Sequence, residues 1–231
     1  MPPPAPRLLD DDALERSPVV ANCAMNRERT LAGYVRELGI DVIAELGTGP
    51  ARWLDLCCGS GRALVEAAGR LPPDAEIIGV DLTDHFSPGV PPRTVRLVTA
   101  SVTGRLPEGP FDLITCVYGL HYVGDRLGVL TRAAALLGEN GLLVANFDAR
   151  SVRTGEGSAR RVTAALSRAG FGYDGRRRVI SVRGRCEPAL DYRYLGADDR
   201  ADPNYTGQEA VDAFYEPGVP DGGTSPIACE G

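Results

Sequence analysis

Lysine is missing altogether. All 25 basic side chains are arginines, and the 31 acidic residues outnumber them to give a formal charge of −6 over 231 residues. The all-arginine bias looks like GC-rich coding and carries no mechanism. The acidic balance argues against a nucleic-acid partner, because binding a phosphate backbone shows up as a concentrated positive face. The one dense basic run, Arg176-Arg177-Arg178, reads as the solvated start of a strand. Long apolar stretches are also absent: none can span a bilayer, and Met1 to Pro6 lack the basic start and apolar run of a secretory signal, so no membrane partner and a cytoplasmic location are expected. Histidine occurs twice. The six cysteines, Cys23, Cys57, Cys58, Cys116, Cys186 and Cys229, form no C-x-x-C pair and have no histidine at zinc spacing. Neither a metal site nor a disulfide framework is expected, and the thiols read as reduced, partly buried small hydrophobes.

What is present is an apolar fraction of 43%, enough for one buried core. Apolar, β-branched runs at 52–57, 76–80, 94–99, 111–117 and 141–147 read as strands buried on both faces. Helical spacing fills 61–70 and 126–137, with a turn at Gly138-Glu139-Asn140-Gly141. This alternation predicts a doubly wound α/β fold with a mostly parallel sheet and helices on both faces. Upstream, residues 27–38 form an expected helix with Leu31, Tyr34, Val35 and Leu38 on one face. Downstream, 158–169 reads as a helix, and 178–182 and 189–194 as two strands joined by a turn near Gly184. A short helix is expected at 209–215 and disorder from Pro217. The domain reading is a helical cap over 1–50, a core over 51–195 and a tail over 196–231 that could serve as a lid before its disordered end.

The most informative passage runs Trp53-Leu54-Asp55-Leu56-Cys57-Cys58-Gly59-Ser60-Gly61-Arg62, a strand that ends in a glycine turn and opens a helix. Gly59 and Gly61 allow a ligand close to the backbone, and open α/β sheets bind ligands at the carboxyl ends of their strands. Asp81 closes the next strand, where a carboxylate can accept both hydroxyl protons of a ribose. Strand, turn, helix, strand and terminal acid together make a nucleoside site. A dinucleotide fingerprint fails, since Leu64 stands where G-x-G-x-x-G needs its third small residue, and a P-loop fails for want of lysine.

On these residues the chain resembles the class I S-adenosylmethionine-dependent methyltransferases, over about residues 52–148. The family's first motif is matched by Asp55, Cys57, Gly59 and Gly61, with Cys57 replacing a usual glycine. The resemblance implies a Rossmann-like seven-stranded sheet of order 3-2-1-4-5-7-6 with one antiparallel strand, and S-adenosyl-L-methionine as cofactor. It implies that Gly59 and Gly61 line the methionine moiety, that Asp55 helps hold its ammonium group and that Asp81 binds the ribose. Where many members carry an aspartate near adenine, this chain has Ala100-Ser101-Val102. Ser101 can offer a hydroxyl there, and Val102 and Leu82 can cover the base. Backbone at Cys116, Val117 and Tyr118 is expected to face the sulfonium.

The expected reaction is in-line methyl transfer to a small-molecule acceptor, with acceleration from positioning and desolvation. His121 is the candidate base, with a helix-capping or packing role as its alternative; His85 lies nearer the adenine end. Tyr34 and Tyr122 are candidate acceptor contacts. Arg29 and Asn26 could meet the cofactor carboxylate, and Tyr192, Tyr194, Asn204 and Tyr205 could line a lid. Two other readings stay open: a non-methylating reaction such as cyclisation, and a non-catalytic partner subunit. Homodimerisation stays open as well.

Overall fold

A computed structural model describes residues 8–21, 28–89, 91–155 and 159–218. Seven strands form the central sheet: β1 Arg52–Leu56, β2 Glu76–Asp81, β3 Val95–Thr99, β4 Phe111–Cys116, β5 Leu137–Asn146, then β7 Gly172–Asp174 and β8 Val179–Arg183. Their spatial order is β3-β2-β1-β4-β5-β8-β7. β8 alone runs against its neighbours; it is antiparallel to both β5 and β7, while β1 to β5 pair in parallel. This is the expected Rossmann-like arrangement, and the strand order reverses between β1 and β4.

Alternation along β1 shows why two layers of helix are needed. Trp53 packs into a core shared with α3 (Leu31–Leu38), α4 (Val42–Leu46) and α5 (Arg62–Ala68). Leu54 and Leu56 point into the opposite core with α6 (Arg126–Ala135) and α7 (Ala159–Arg168). Every residue from Trp53 to Leu56 is buried, as a strand covered on both faces requires. Helix starts follow local chemistry. Thr30 Oγ1 accepts from Gly33 N at 3.2 Å to cap α3, and Asp125 Oδ1 accepts from Gly128 N at 3.0 Å to cap α6.

A second, three-stranded sheet has the order β6-β10-β9, from Val152–Thr154, Asp212–Pro217 and Tyr192–Asp198. It anchors the first helix, α1 (Asp11–Glu15), which is followed by α2 (Pro18–Ala21). Leu9 and Ala197 exchange backbone hydrogen bonds of 2.8 and 2.9 Å, and Leu14 of α1 packs on Ala197 and Val211.

Several sequence expectations change here. The short helix read at 209–215 is absent: Asp212–Pro217 form a strand, in which Ala213 and Tyr215 are buried while Asp212, Phe214 and Glu216 are not, a period of two. Residues 189–194 do not pair with 178–182. That partner is β7, joined to β8 by a turn in which Asp174 Oδ1 accepts from Arg176 N and Arg177 N at 2.9 and 3.0 Å. Arg178 is no solvated strand start: it turns inward to pair with Asp148 at 3.0 Å and stacks 4.0 Å over Tyr205. The Gly138–Gly141 turn lies inside β5, where pairing with β4 shifts register. Leu31, Tyr34 and Leu38 of α3 are buried, but Val35 is exposed. The domain boundary read at 195 falls within β9. Cys57, Cys58 and Cys116 are free thiols, whereas Cys186 is disulfide-bonded, against the expectation of reduced thiols throughout. Asn26, Cys23 and the end read as disordered beyond Gly218 lie outside the described residues. Among the described residues, no helix is long and apolar enough to cross a membrane, and no His, Cys, Asp and Glu group could hold a metal.

Candidate active site

The turn after β1 folds as it does because three of its residues leave the ordinary backbone regions. Cys57, Gly59 and Gly61 have φ of 58°, 59° and 74°. Gly61 opens α5 without a side-chain cap, and a Cβ there would stand 2.8 Å from Leu97. Tyr118, at the end of β4, also has a φ of 58°. Cys57 and Tyr118 therefore sit in a conformation that costs a non-glycine residue energy, at the ends of the two strands between which the order reverses. Strain of this kind gathers where the chain is shaped for a ligand.

Asp81 closes β2 and ties the turn to it. Its Oδ2 accepts from Gly59 N at 2.8 Å, and its Oδ1 accepts from Thr83 N and the Thr83 hydroxyl, both at 3.1 Å. Gly59 and Asp81 line one cavity at the carboxyl ends of the strands. Leu82, Ser101 and Val102 line it beside them, and Cys57, Val117, Tyr118 and Tyr122 line its other wall. Nine of the sequence-predicted site residues thus meet in one space.

Tyr34, Asp55, Gly61, Cys116 and His121 do not line it, nor do His85, Arg29, Tyr192, Tyr194, Asn204 or Tyr205. Asp55 is completely buried, with its oxygens engaged by Tyr34 Oη at 2.7 Å and Thr115 Oγ1 at 2.5 Å. Trp53 Nε1 donates to that threonine at 2.8 Å. Asp55 and Tyr34 thus hold α3 onto β1 and β4, and neither reaches the cavity directly. Gly61 and Cys116 lie behind the wall; the Cys116 thiol is hydrogen-bonded to Cys57. His121 is buried between the rings of Tyr118 and Tyr205, at centroid distances of 5.7 and 5.5 Å. Its Nε2 has no hydrogen-bond partner among the described residues. Burial, then the charges of Arg126 and Arg178, push its pKa down to about 3. Arg29 faces the Tyr118 ring at 4.6 Å, and Tyr118 Oη donates to Glu37 at 2.6 Å.

Burial dominates at Asp55 too, raising its pKa to about 7 against the donors Thr115 and Tyr34. The folded state then holds a proton that the unfolded state, near 3.8, releases. The stabilising contribution is full below about pH 4 and is lost as pH rises through about 7. Melting curves of Asp55→Asn and the parent should show it: the parent loses several degrees relative to the variant between about pH 5 and pH 8. A parallel pair of profiles would contradict this.

The sequence reading missed the roof. Asp11, Leu14 and Glu15 of α1 and Val20 of α2 line the cavity. The local signal was there in Asp10, whose Oδ1 caps α1 by accepting from Ala13 N at 2.8 Å; nothing local announces that this helix docks on Ser101. Gly119 is a second omission. A Cβ on it would lie 2.3 Å from Cys57 Cβ and 2.9 Å from Cys116 Sγ, so Gly119→Ala must displace the glycine turn. Titration calorimetry should show cofactor affinity reduced by about tenfold or more.

A family model described as a methyltransferase domain matches residues 25–178. The chain belongs to that methyltransferase family. No curated protein matches it. Among solved structures, an S-adenosylmethionine-dependent methyltransferase from Aquifex aeolicus is similar at 17% identity and a TM-score of 0.44, over 65% of this chain and 92% of that one. A putative methyltransferase from Bacillus halodurans matches at 16% identity and a TM-score of 0.41, over 62% of this chain and 69% of the other. The cyclopropane synthase MmaA2 from Mycobacterium tuberculosis matches at 24% identity and a TM-score of 0.38, over 50% of this chain and 41% of its own length. This methyltransferase-family chain spans less than half of that synthase.

The site's residues fit the cofactor that the sequence resemblance implies. A carboxylate at the end of β2 suits a sugar diol, Leu82 and Val102 offer apolar surface to a flat base, and the Gly59 turn admits close approach.

Proposed function

We infer that this protein transfers the methyl group of S-adenosylmethionine to a small-molecule acceptor. The reading rests on one observation: the Gly59 turn, Asp81 and the Val117–Tyr118 wall converge on a single cavity where the strand order reverses. The bound cofactor supplies an electrophilic methyl carbon. Asp81 accepts from the ribose hydroxyls, Leu82 and Val102 flank the base, and Cys57 and Gly59 border the methionine portion. Val117 is buried and forms, with Tyr118, the wall that keeps water from the reacting carbon. Displacement gains chiefly from holding the acceptor in line.

A small acceptor is favoured by the roof. Asp11 and Glu15 place two carboxyl groups over the cavity, and a polyanion such as RNA would meet them at close range. His121 is no strong candidate for the base. With a pKa near 3 it is too weak to take a proton efficiently at neutral pH, and it does not line the cavity. His121→Asn is expected to bind S-adenosylmethionine within about threefold of the parent. The parent's rate profile should have no limb near pH 6–7 that disappears in this variant; such a loss would restore the histidine to the chemistry.

Incubating the protein with methyl-labelled S-adenosylmethionine and panels of hydroxyl, amine and thiol acceptors tests the function. Transfer yields S-adenosylhomocysteine and a labelled acceptor one methylene heavier. Cofactor turnover with no labelled product would favour a different reaction on the same fold.

A further inference from the structure

We propose that Glu15, carried by the first helix, reads the exocyclic amino group of the cofactor's adenine, so that docking of the N-terminal segment is part of cofactor recognition. This rests on the S-adenosylmethionine reading above.

Three carboxylates line the cavity: Asp11, Glu15 and Asp81. Asp81 is committed to the glycine turn and Thr83, at the ribose end. Glu15 stands over the segment after β3, whose own residues from Ala100 to Thr103 include no acid. Its Oε1 accepts a short hydrogen bond from Ser101 Oγ and a second from Thr103 Oγ1 at 3.4 Å. The two hydroxyls lie 2.8 Å apart, so the Thr103 proton is shared between Glu15 Oε1 and Ser101 Oγ, and Thr103 N donates to Ser101 Oγ at 3.1 Å. One carboxylate oxygen is therefore fixed, while no hydrogen bond among the described residues ends on Oε2.

A carboxylate oxygen can accept a hydrogen bond but cannot donate one. A base held between Leu82 and Val102 brings its edge to this region of the cavity. Adenine presents an amino group at its six-position, which a carboxylate satisfies; a purine with a carbonyl there places acceptor against acceptor. Discrimination by a buried polar group left unpaired is stronger than discrimination by shape. The helix is also held in advance of the ligand. Asp10 caps it, Leu9 bridges to Ala197, and Leu14 is buried against Val211. The acceptor that the β3 loop lacks is thus supplied from 86 residues away in sequence.

Calorimetry on the full chain with S-adenosylhomocysteine and S-inosylhomocysteine tests this, the second carrying a six-position carbonyl and a proton on N1 where adenine has an amino group and a bare N1. The parent should prefer the adenosyl compound by about tenfold or more. Glu15→Gln, whose amide can donate as well as accept, should weaken adenosyl binding by about tenfold and abolish or reverse the preference. Ser101→Ala should weaken adenosyl binding by a smaller factor and keep the preference. An unchanged preference in Glu15→Gln, with both ligands weakened equally, would overturn the proposal and leave Glu15 as a latch for α1. Failure of the parent to bind either ligand would instead overturn the cofactor reading, and this proposal with it.

Discussion

Asp81→Ala is expected to weaken S-adenosylmethionine binding by about a hundredfold or more, while the ligand-free melting temperature changes by only a few degrees. A hydrogen bond to a charged group contributes about 1.5–3 kcal/mol, and a sugar diol can make two of them to one carboxylate. Replacement water recovers part of that, so a loss of about 3 kcal/mol, or two orders of magnitude, is the conservative figure. The fold pays little, since Asp81 is only half-buried and its protein partners are two backbone amides and one hydroxyl of the turn. Thermal shift separates the two effects, because a ligand stabilises the folded state in proportion to the logarithm of its concentration over Kd. At a concentration that raises the parent's melting temperature by several degrees, the variant should not move.

Arg126→Met should have the largest effect on stability. Arg126 is almost completely buried at the start of α6. Its Nε donates to Val123 O at 3.1 Å, Nη1 to Ser151 Oγ at 2.5 Å and Nη2 to Val211 O at 2.8 Å. One side chain thus ties the cavity wall, the turn before β6 and the strand entering β10. Removing a buried guanidinium relieves its desolvation cost, which burial expresses by lowering the Arg126 pKa. Against that gain, methionine leaves the carbonyls of Val123 and Val211 without this donor, at about 1–3 kcal/mol each, while the part-buried Ser151 hydroxyl keeps its bond to Asp148 O at 2.8 Å. The unpaired acceptors outweigh the relief, and a net loss of about 3 kcal/mol is expected. For a chain of this size that lowers the melting temperature by about 6–12 °C. Denaturant unfolding with an unchanged m-value would confirm that stability alone has moved.

The parts of the fold that were legible in the sequence are those whose pattern is local and two-sided. The run Trp53 to Leu56 reads as a buried strand because every position is apolar or, at Asp55, matched by donors. The glycine turn and Asp81 follow in an order that few other sites share. What was lost depends on long-range contacts. The three residues of β7 carry too little pattern to identify a strand, and only their pairing with β8 defines them. The stretch at 209–215 was read as a helix because seven residues fit either period; the buried set of Ala213 and Tyr215 is fixed by the pairing of β10 with β9 and β6. Asp55 was read as a contact of the cofactor's ammonium group and His121 as a candidate base with a packing alternative, yet both are buried, which raises the acid's pKa and lowers the base's. The roof helix α1 was invisible as part of the site, since its partners on the β3 loop are more than eighty residues away.

Titration of the purified protein with S-adenosylhomocysteine, and separately with NAD, tests the central claim most directly. The geometry of the Gly59 turn and Asp81 predicts micromolar binding of the first, lost in Asp81→Ala, and none of the second. Binding of NAD alone, or of neither, would contradict it.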